Sequence, residues 1–176
     1  MSTTESRTPL RPVVRVTAIG AAAVEGVIGA LQLSRTDSGL ATHDTATHVV
    51  LSLFAVALVA AIPLWLVLAQ RAGTRWPGIS VAAGNALLAV GATASNINGS
   101  DPEFFGPVAI VANAAVLVGL IGLAVACWRR RVLPRPLAAA LPVYFLGVIP
   151  LAQLGGGLLR AAVLAAVLWV LATFPA

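Results

Sequence analysis

One acidic side chain lies in the middle of an apolar stretch near the start of the sequence. Apart from Thr17 and Gln32, the other residues of the stretch 16–33 around Glu25 are all Ala, Val, Ile, Leu or Gly. Burying a carboxyl group at the centre of a bilayer costs at least about 2.5 kcal/mol on insertion scales, so such residues usually face a partner, a cavity or a proton path. We therefore take Glu25 as the candidate catalytic residue, acting as a proton carrier, a ligand contact or a general acid. The alternative is a Glu that holds two helices together by a hydrogen bond.

Four other polar residues are candidates for the same site. Counting about 1.5 Å per residue from the ends of their apolar stretches places Asn85, Asn113 and Tyr144 near the middle of the membrane. Arg160 falls about one helical turn below the outer surface, which favours a side chain that extends outward to water. An ion pair with Glu25, which would keep the acid ionised, is the alternative for Arg160. We predict a ligand-binding site formed by these four residues around Glu25, with interhelical hydrogen bonding as the alternative for each Asn.

A second polar segment covers residues 42–48. It contains His43, Asp44 and His48, and a helix starting at Thr42 places Asp44 and His48 on one face. Two His and one Asp could bind a metal, but the spacing supplies no third strong ligand. We therefore interpret these residues as polar candidates on the outer face, with a helix cap and interfacial histidines. We expect neither a metal nor a cofactor, and the single cysteine, Cys127, excludes a CxxC site.

Four common catalytic or nucleotide-binding sequence motifs are absent. The chain contains no HExxH, GxSxG, P-loop or GxGxxG pattern. The enzyme classes that these motifs identify are therefore not indicated, and whether the protein is an enzyme stays open.

The candidate residues must be positioned by helices within a membrane. The chain is 59% apolar and only 10% charged, whereas soluble domains carry about 25% charged residues. Apolar stretches of about 20 residues are long enough to cross a bilayer as helices. We predict an all-α, polytopic membrane protein, in which a disordered cytoplasmic tail (1–12) precedes a single bundle of about six transmembrane helices (13–176). The predicted spans are 14–33, 48–70, 77–97, 105–128, 136–153 and 157–174, and the last two depend on a turn at the glycine cluster 155–157.

The arginines predict the orientation of these spans. All eleven basic residues are Arg, and cytoplasmic loops carry the excess of basic residues. Both chain ends are therefore expected in the cytoplasm, which leaves only Arg35 and Arg160 towards the outside. The cytoplasmic arginines are then Arg7, Arg11, Arg15, Arg71, Arg75, Arg129, Arg130, Arg131 and Arg135. The tryptophans expected at the same interface are Trp65, Trp76, Trp128 and Trp169. The absence of Lys is typical of a GC-rich bacterial genome, so we expect the bacterial cytoplasmic membrane.

Small residues predict where the helices pack. Ala and Gly recur at three- and four-residue steps along one face of the first, third and fourth spans, and small residues allow close helix contact in lipid. The face of the first span carries Glu25 and that of the third carries Asn85. We expect these three faces to meet in the interior of the bundle.

Three functional hypotheses follow from these residues. The first is a bundle that binds or translocates a small molecule or ion through a polar site around Glu25. The second is a membrane-embedded enzyme, of isomerase or cyclase type, that uses Glu25 as an acid on an isoprenoid-like substrate. The third is an accessory subunit that docks through its Ala/Gly faces. The expected partners are the lipid bilayer, a small lipophilic ligand or other membrane subunits, and no nucleic acid, because the arginines fall between apolar stretches.

Overall fold

The computed structural model describes residues 10–34, 45–147 and 154–173. Within these ranges the chain is all-helical and forms six helices. The helices are α1 Pro12–Ser34, α2 Thr45–Arg71, α3 Trp76–Asn98, α4 Phe105–Arg130, α5 Arg135–Leu146 and α6 Gly156–Thr173. The prediction of an all-α bundle is confirmed. The first helix begins at Pro12, the last residue of the predicted tail, because proline suits the first turn of a helix.

Five of the six helices are long and apolar enough to cross a membrane. The exception is α5, whose 12 residues extend about 18 Å, against about 30 Å for a bilayer core. The predicted fifth span, 136–153, continues past α5 into residues 148–153, which lie outside the described ranges. The chain is thus a multi-pass membrane protein with five described helices of spanning length.

Each helix packs against its neighbours in the sequence, and α6 closes the bundle by packing against α1. Short connections favour this order. Because only four residues join α2 to α3, the two helices pack side by side and antiparallel. The expectation that the first, third and fourth spans share one interior contact is wrong, because α1 packs against α2 and α6 rather than against α3 or α4. The small-residue face of α4 packs against α3 instead.

Glycines bring α1 and α6 into backbone contact. A Cβ atom added to Gly157 would lie 2.5 Å from the carbonyl oxygen of Glu25, and one added to Gly29 would lie 2.5 Å from the backbone nitrogen of Leu158. Only residues without a side chain fit at this distance. Because Gly29 is near the end of α1 and Leu158 near the start of α6, the two helices are antiparallel, and the contact lies beside Glu25.

The arginines mark one end of the bundle, here called the arginine end. The Nη1 atom of Arg71 donates a hydrogen bond to the carbonyl oxygen of Leu171 at 3.0 Å, which joins the ends of α2 and α6 there. The arginine end comprises Arg11, Arg15, Arg71, Arg75, Arg129, Arg130, Arg131 and Arg135. Three tryptophans are exposed, namely Trp76, Trp128 and Trp169. Trp65, the fourth tryptophan expected at this interface, is fully buried in the core, so its side chain faces the interior of the bundle.

Candidate functional site

Glu25 and Arg160 form a buried ion pair between α1 and α6. The Nη2 atom of Arg160 lies 2.6 Å from Oε1 of Glu25. The Glu25 residue is 0% exposed and Arg160 is 2% exposed. The prediction that the Arg160 side chain extends outward to water is therefore wrong. The structure contains the alternative, an ion pair with Glu25. A Cβ added to Gly147 would lie 2.7 Å from Cγ of Arg160, so the absence of a side chain at Gly147 leaves room for the buried Arg160 stem.

Two aromatic rings complete the surroundings of the guanidinium group. The Nη2 atom of Arg160 donates a hydrogen bond to the phenol oxygen of Tyr144 at 2.9 Å. The guanidinium carbon lies 4.8 Å from the ring centre of Tyr144 and 5.2 Å from that of Phe54. Both distances are within the range at which an aromatic ring attracts a cation. The site therefore joins α1, α2, α5 and α6, and we call Glu25, Tyr144 and Arg160 the polar triad.

A buried tryptophan supports the triad from α2. The rings of Trp65 and Tyr144 meet edge to face, with 5.3 Å between their centres and 75° between their planes. Phe54 and Trp65 are eleven residues apart, about three helical turns, and so share a face of α2. The sequence reasoning missed both as site residues. In the sequence, the eleven-residue spacing of these two aromatic residues is the feature that could have indicated a shared helix face.

The triad keeps unused hydrogen-bonding capacity. Among the described residues, neither carboxylate oxygen of Glu25 receives a directed hydrogen bond, and Nε of Arg160 also has no acceptor. The short contact between Glu25 and Arg160 is thus an ionic approach rather than a well-aligned hydrogen bond. A carboxylate can accept about four hydrogen bonds. The pair is balanced in charge, and its polar atoms can still bind another polar group.

The two asparagines proposed for this site lie elsewhere. Asn85 on α3 donates to the carbonyl oxygen of Leu58 on α2 at 3.2 Å. Asn113 donates to the carbonyl oxygen of Ala109, one turn earlier in α4, at 2.8 Å. Neither α3 nor α4 packs against α1. Asn85 therefore makes the interhelical hydrogen bond that was its alternative role, and Asn113 bonds to its own helix.

The histidine segment is only partly described. His43 and Asp44 lie outside the described residues. The Nδ1 atom of His48 lies 2.6 Å from Oδ1 of Asn96, and Nδ2 of Asn96 donates to the hydroxyl of Ser52 at 2.8 Å. These contacts join α2 and α3 at the end opposite the arginine end. In the part of the chain that the structure describes, no group of three or more His, Cys, Asp or Glu side chains could hold a metal ion.

Comparison with known proteins does not assign a role to the polar triad. No protein-family model, no curated protein and no solved structure matches the chain. The chemistry of the site must follow from its own groups: a carboxylate, a guanidinium and a phenol, buried together where four helices meet.

Proposed function

We propose that this integral membrane protein binds and translocates a small anion together with a proton, through the polar triad. The observation that carries the proposal is the ion pair between Glu25 and Arg160, 2.6 Å apart and shielded from solvent. The chain around it has five helices apolar enough to span a membrane. Ionisable residues at such positions commonly mark ion pathways and proton relays.

Charge balance links the anion to the proton. A guanidinium group keeps its proton at any physiological pH, and a buried cation without a partner is strongly destabilising. Arg160 therefore needs one negative partner, which is Glu25 in this structure. An anion that binds Arg160 adds a second negative charge, and protonation of Glu25 restores neutrality. Each bound anion is thus accompanied by one proton.

Tyr144 contributes the third group of the site. Its phenol oxygen accepts a hydrogen bond from Arg160, which leaves the phenol O–H free to donate. A donor beside the guanidinium group suits an anion. We assign Tyr144 as a second anion contact.

The orientation follows the distribution of charge. Every described arginine other than Arg160 lies at the arginine end. The excess of basic residues marks the cytoplasmic side of membrane proteins. We place the arginine end in the cytoplasm of a bacterial cell, with the protein in the plasma membrane.

The competing functions fit the structure less well. A general acid must be neutral before it reacts, whereas the carboxyl group of Glu25 lies against a cation. An accessory subunit was expected to dock through its small-residue faces. Two of these faces are already occupied within the chain, since Gly29 contacts Leu158 and Gly119 lies against the backbone of Pro77.

Proton flux into liposomes tests the proposal. Purified protein is reconstituted with a pH-sensitive dye inside, and inward gradients of chloride, nitrate, thiocyanate, formate and lactate are applied in turn. We expect at least one anion to acidify the interior with wild-type protein and not with Glu25→Gln. The matched control is Glu103→Gln, which removes an exposed acid outside the site and should behave as wild type. No acidification with any of these anions, or equal acidification with Glu25→Gln, contradicts the proposal.

A further inference from the structure

A groove opens on the outer surface of the bundle at the arginine end. It lies between the turn that joins α2 to α3 and the last turns of α4, and its volume is about 510 Å³. Its walls are mainly apolar, including Val118, Ile121 and Val125, whose side chains are exposed on the outer surface of the bundle. A Cβ on Gly122 would lie 2.8 Å from the ring of Trp76, so this glycine lets the indole ring cover the groove floor.

The length of the groove matches one leaflet of a bilayer. Along α4 it extends from Val118 to Arg129, which corresponds to about 16 Å at about 1.5 Å per residue. Half of a hydrocarbon core of about 30 Å is about 15 Å. An acyl chain of the leaflet at the arginine end therefore has the right reach to lie in the groove.

Two arginines stand at the mouth of this groove. Arg129 and Arg130 occupy the last turn of α4 and are exposed. A Cβ on Gly73 would lie 3.7 Å from the guanidinium carbon of Arg130, so this guanidinium group lies over the α2–α3 turn. Thr74 on the same turn adds a hydroxyl group to the lining.

No acidic side chain neutralises these arginines within the described ranges. The described acids are Glu25, which is paired with Arg160 in the core, and Asp101 and Glu103, which lie in the α3–α4 turn at the opposite end. One end of the groove therefore carries positive charge, and the rest of the groove is mainly apolar. Its complement is a molecule with an anionic head and an apolar tail.

We propose that this groove binds one anionic phospholipid, with the phosphate held by Arg129 and Arg130 and an acyl chain lying along Gly122 and Val125. Basic pockets at the cytoplasmic ends of transmembrane helices are a known way to recognise anionic lipid head groups. A smaller groove of about 270 Å³ lies beside α5 and shares Val125 and Arg129 with the first. It accommodates the second acyl chain, so that the lipid straddles α4.

Lipid titration of the full, delipidated chain in detergent tests this site. Short-chain phosphatidylglycerol and phosphatidylcholine with identical acyl chains are compared by tryptophan fluorescence, with glycerol phosphate as a probe that lacks chains. We expect phosphatidylglycerol to bind more tightly, and the double variant Arg129→Gln/Arg130→Gln to weaken its binding about 25-fold. That factor follows from about 1 kcal/mol for each basic residue and tenfold for every 1.4 kcal/mol.

Three further variants distinguish binding in this groove from diffuse electrostatic attraction to the arginine end. Arg11→Gln/Arg15→Gln removes two exposed charges at the same end and should leave phosphatidylglycerol binding within about twofold of wild type. Val125→Trp fills both grooves from an exposed position and should abolish binding, whereas Val111→Trp, on the exposed surface of α4 outside both grooves, should not. The proposal is overturned if the two lipids bind equally, or if the two arginine double variants weaken binding equally. It is also overturned if glycerol phosphate binds and Val125→Trp leaves that binding unchanged.

Discussion

Removing the carboxylate of Glu25 should strongly destabilise the fold. At the observed 2.6 Å and an effective dielectric constant of about 20, the attraction between the two charges is about 6 kcal/mol. Desolvation of both groups offsets much of this gain. Glu25→Gln removes the attraction and leaves Arg160 buried without a counter-charge, because Arg160 is 2% exposed. Loss of one partner of such a pair costs about 3–5 kcal/mol.

A double-mutant cycle measures this coupling. Glu25→Gln, Arg160→Gln and the combined variant are unfolded by denaturant in mixed micelles, and the free energies of unfolding are compared with wild type. We expect the combined variant to be more stable than either single variant, because it buries no unpaired charge. Glu103→Gln, at an exposed position, should change stability by less than about 0.5 kcal/mol. Single effects that add to within about 0.5 kcal/mol would refute the reasoning, since they would mean that the two charges do not interact.

Two further predictions concern the surroundings of the pair, and a third concerns Asn85, which lies outside the site. Gly157→Ala should lower the free energy of unfolding by about 1–3 kcal/mol, because its Cβ would lie 2.5 Å from a carbonyl oxygen of α1. The control is Gly20→Ala, whose Cβ would have nothing within 4 Å. Equal effects of the two variants in the same denaturant titration would contradict the close contact. Tyr144→Phe removes the acceptor for Arg160 and should destabilise by about 1–3 kcal/mol while weakening anion-driven acidification of liposomes; unchanged stability and flux would exclude Tyr144 from the site. Asn85→Leu should cost only about 0.6 kcal/mol and leave the flux intact, whereas loss of flux in a folded variant would place Asn85 in the pathway.

The sequence was sufficient to predict the fold class and to identify Glu25 as an acid within a membrane helix. Hydropathy and length identify membrane helices directly, because lipid requires long apolar segments with internally satisfied backbones. Glu25 stood out because an acid in such a segment is energetically costly. Both inferences depend on the chain and the bilayer alone, without knowledge of which helices touch.

Helix contacts were harder to predict from the same sequence. Counting residues gives depth in the membrane, but the side of a uniformly apolar helix that faces its neighbour leaves little periodic signal. The depth count therefore predicts Asn85 and Asn113 at the site of Glu25, although α3 and α4 pack elsewhere. Arg160 was placed near the outer surface for a similar reason, since depth alone does not reveal that its guanidinium group points towards Glu25 and Tyr144.

Trp65 illustrates a second limit of composition-based reasoning. Tryptophan favours the membrane interface on average, and three of the four tryptophans are exposed. Trp65 is instead buried in the core, where it packs edge to face on Tyr144. A preference for a depth in the membrane thus does not predict whether a side chain faces the lipid or the core.

Proton uptake on anion binding tests the central claim most directly. Purified protein in weakly buffered detergent solution is titrated with the anion that acidifies liposomes best, while the pH and the bound anion are measured together. Charge balance at the buried pair of Glu25 and Arg160 predicts about one proton taken up for each anion bound, and no proton uptake in Glu25→Gln. Anion binding without proton uptake by the wild-type protein, or the same uptake in Glu25→Gln, would contradict the account.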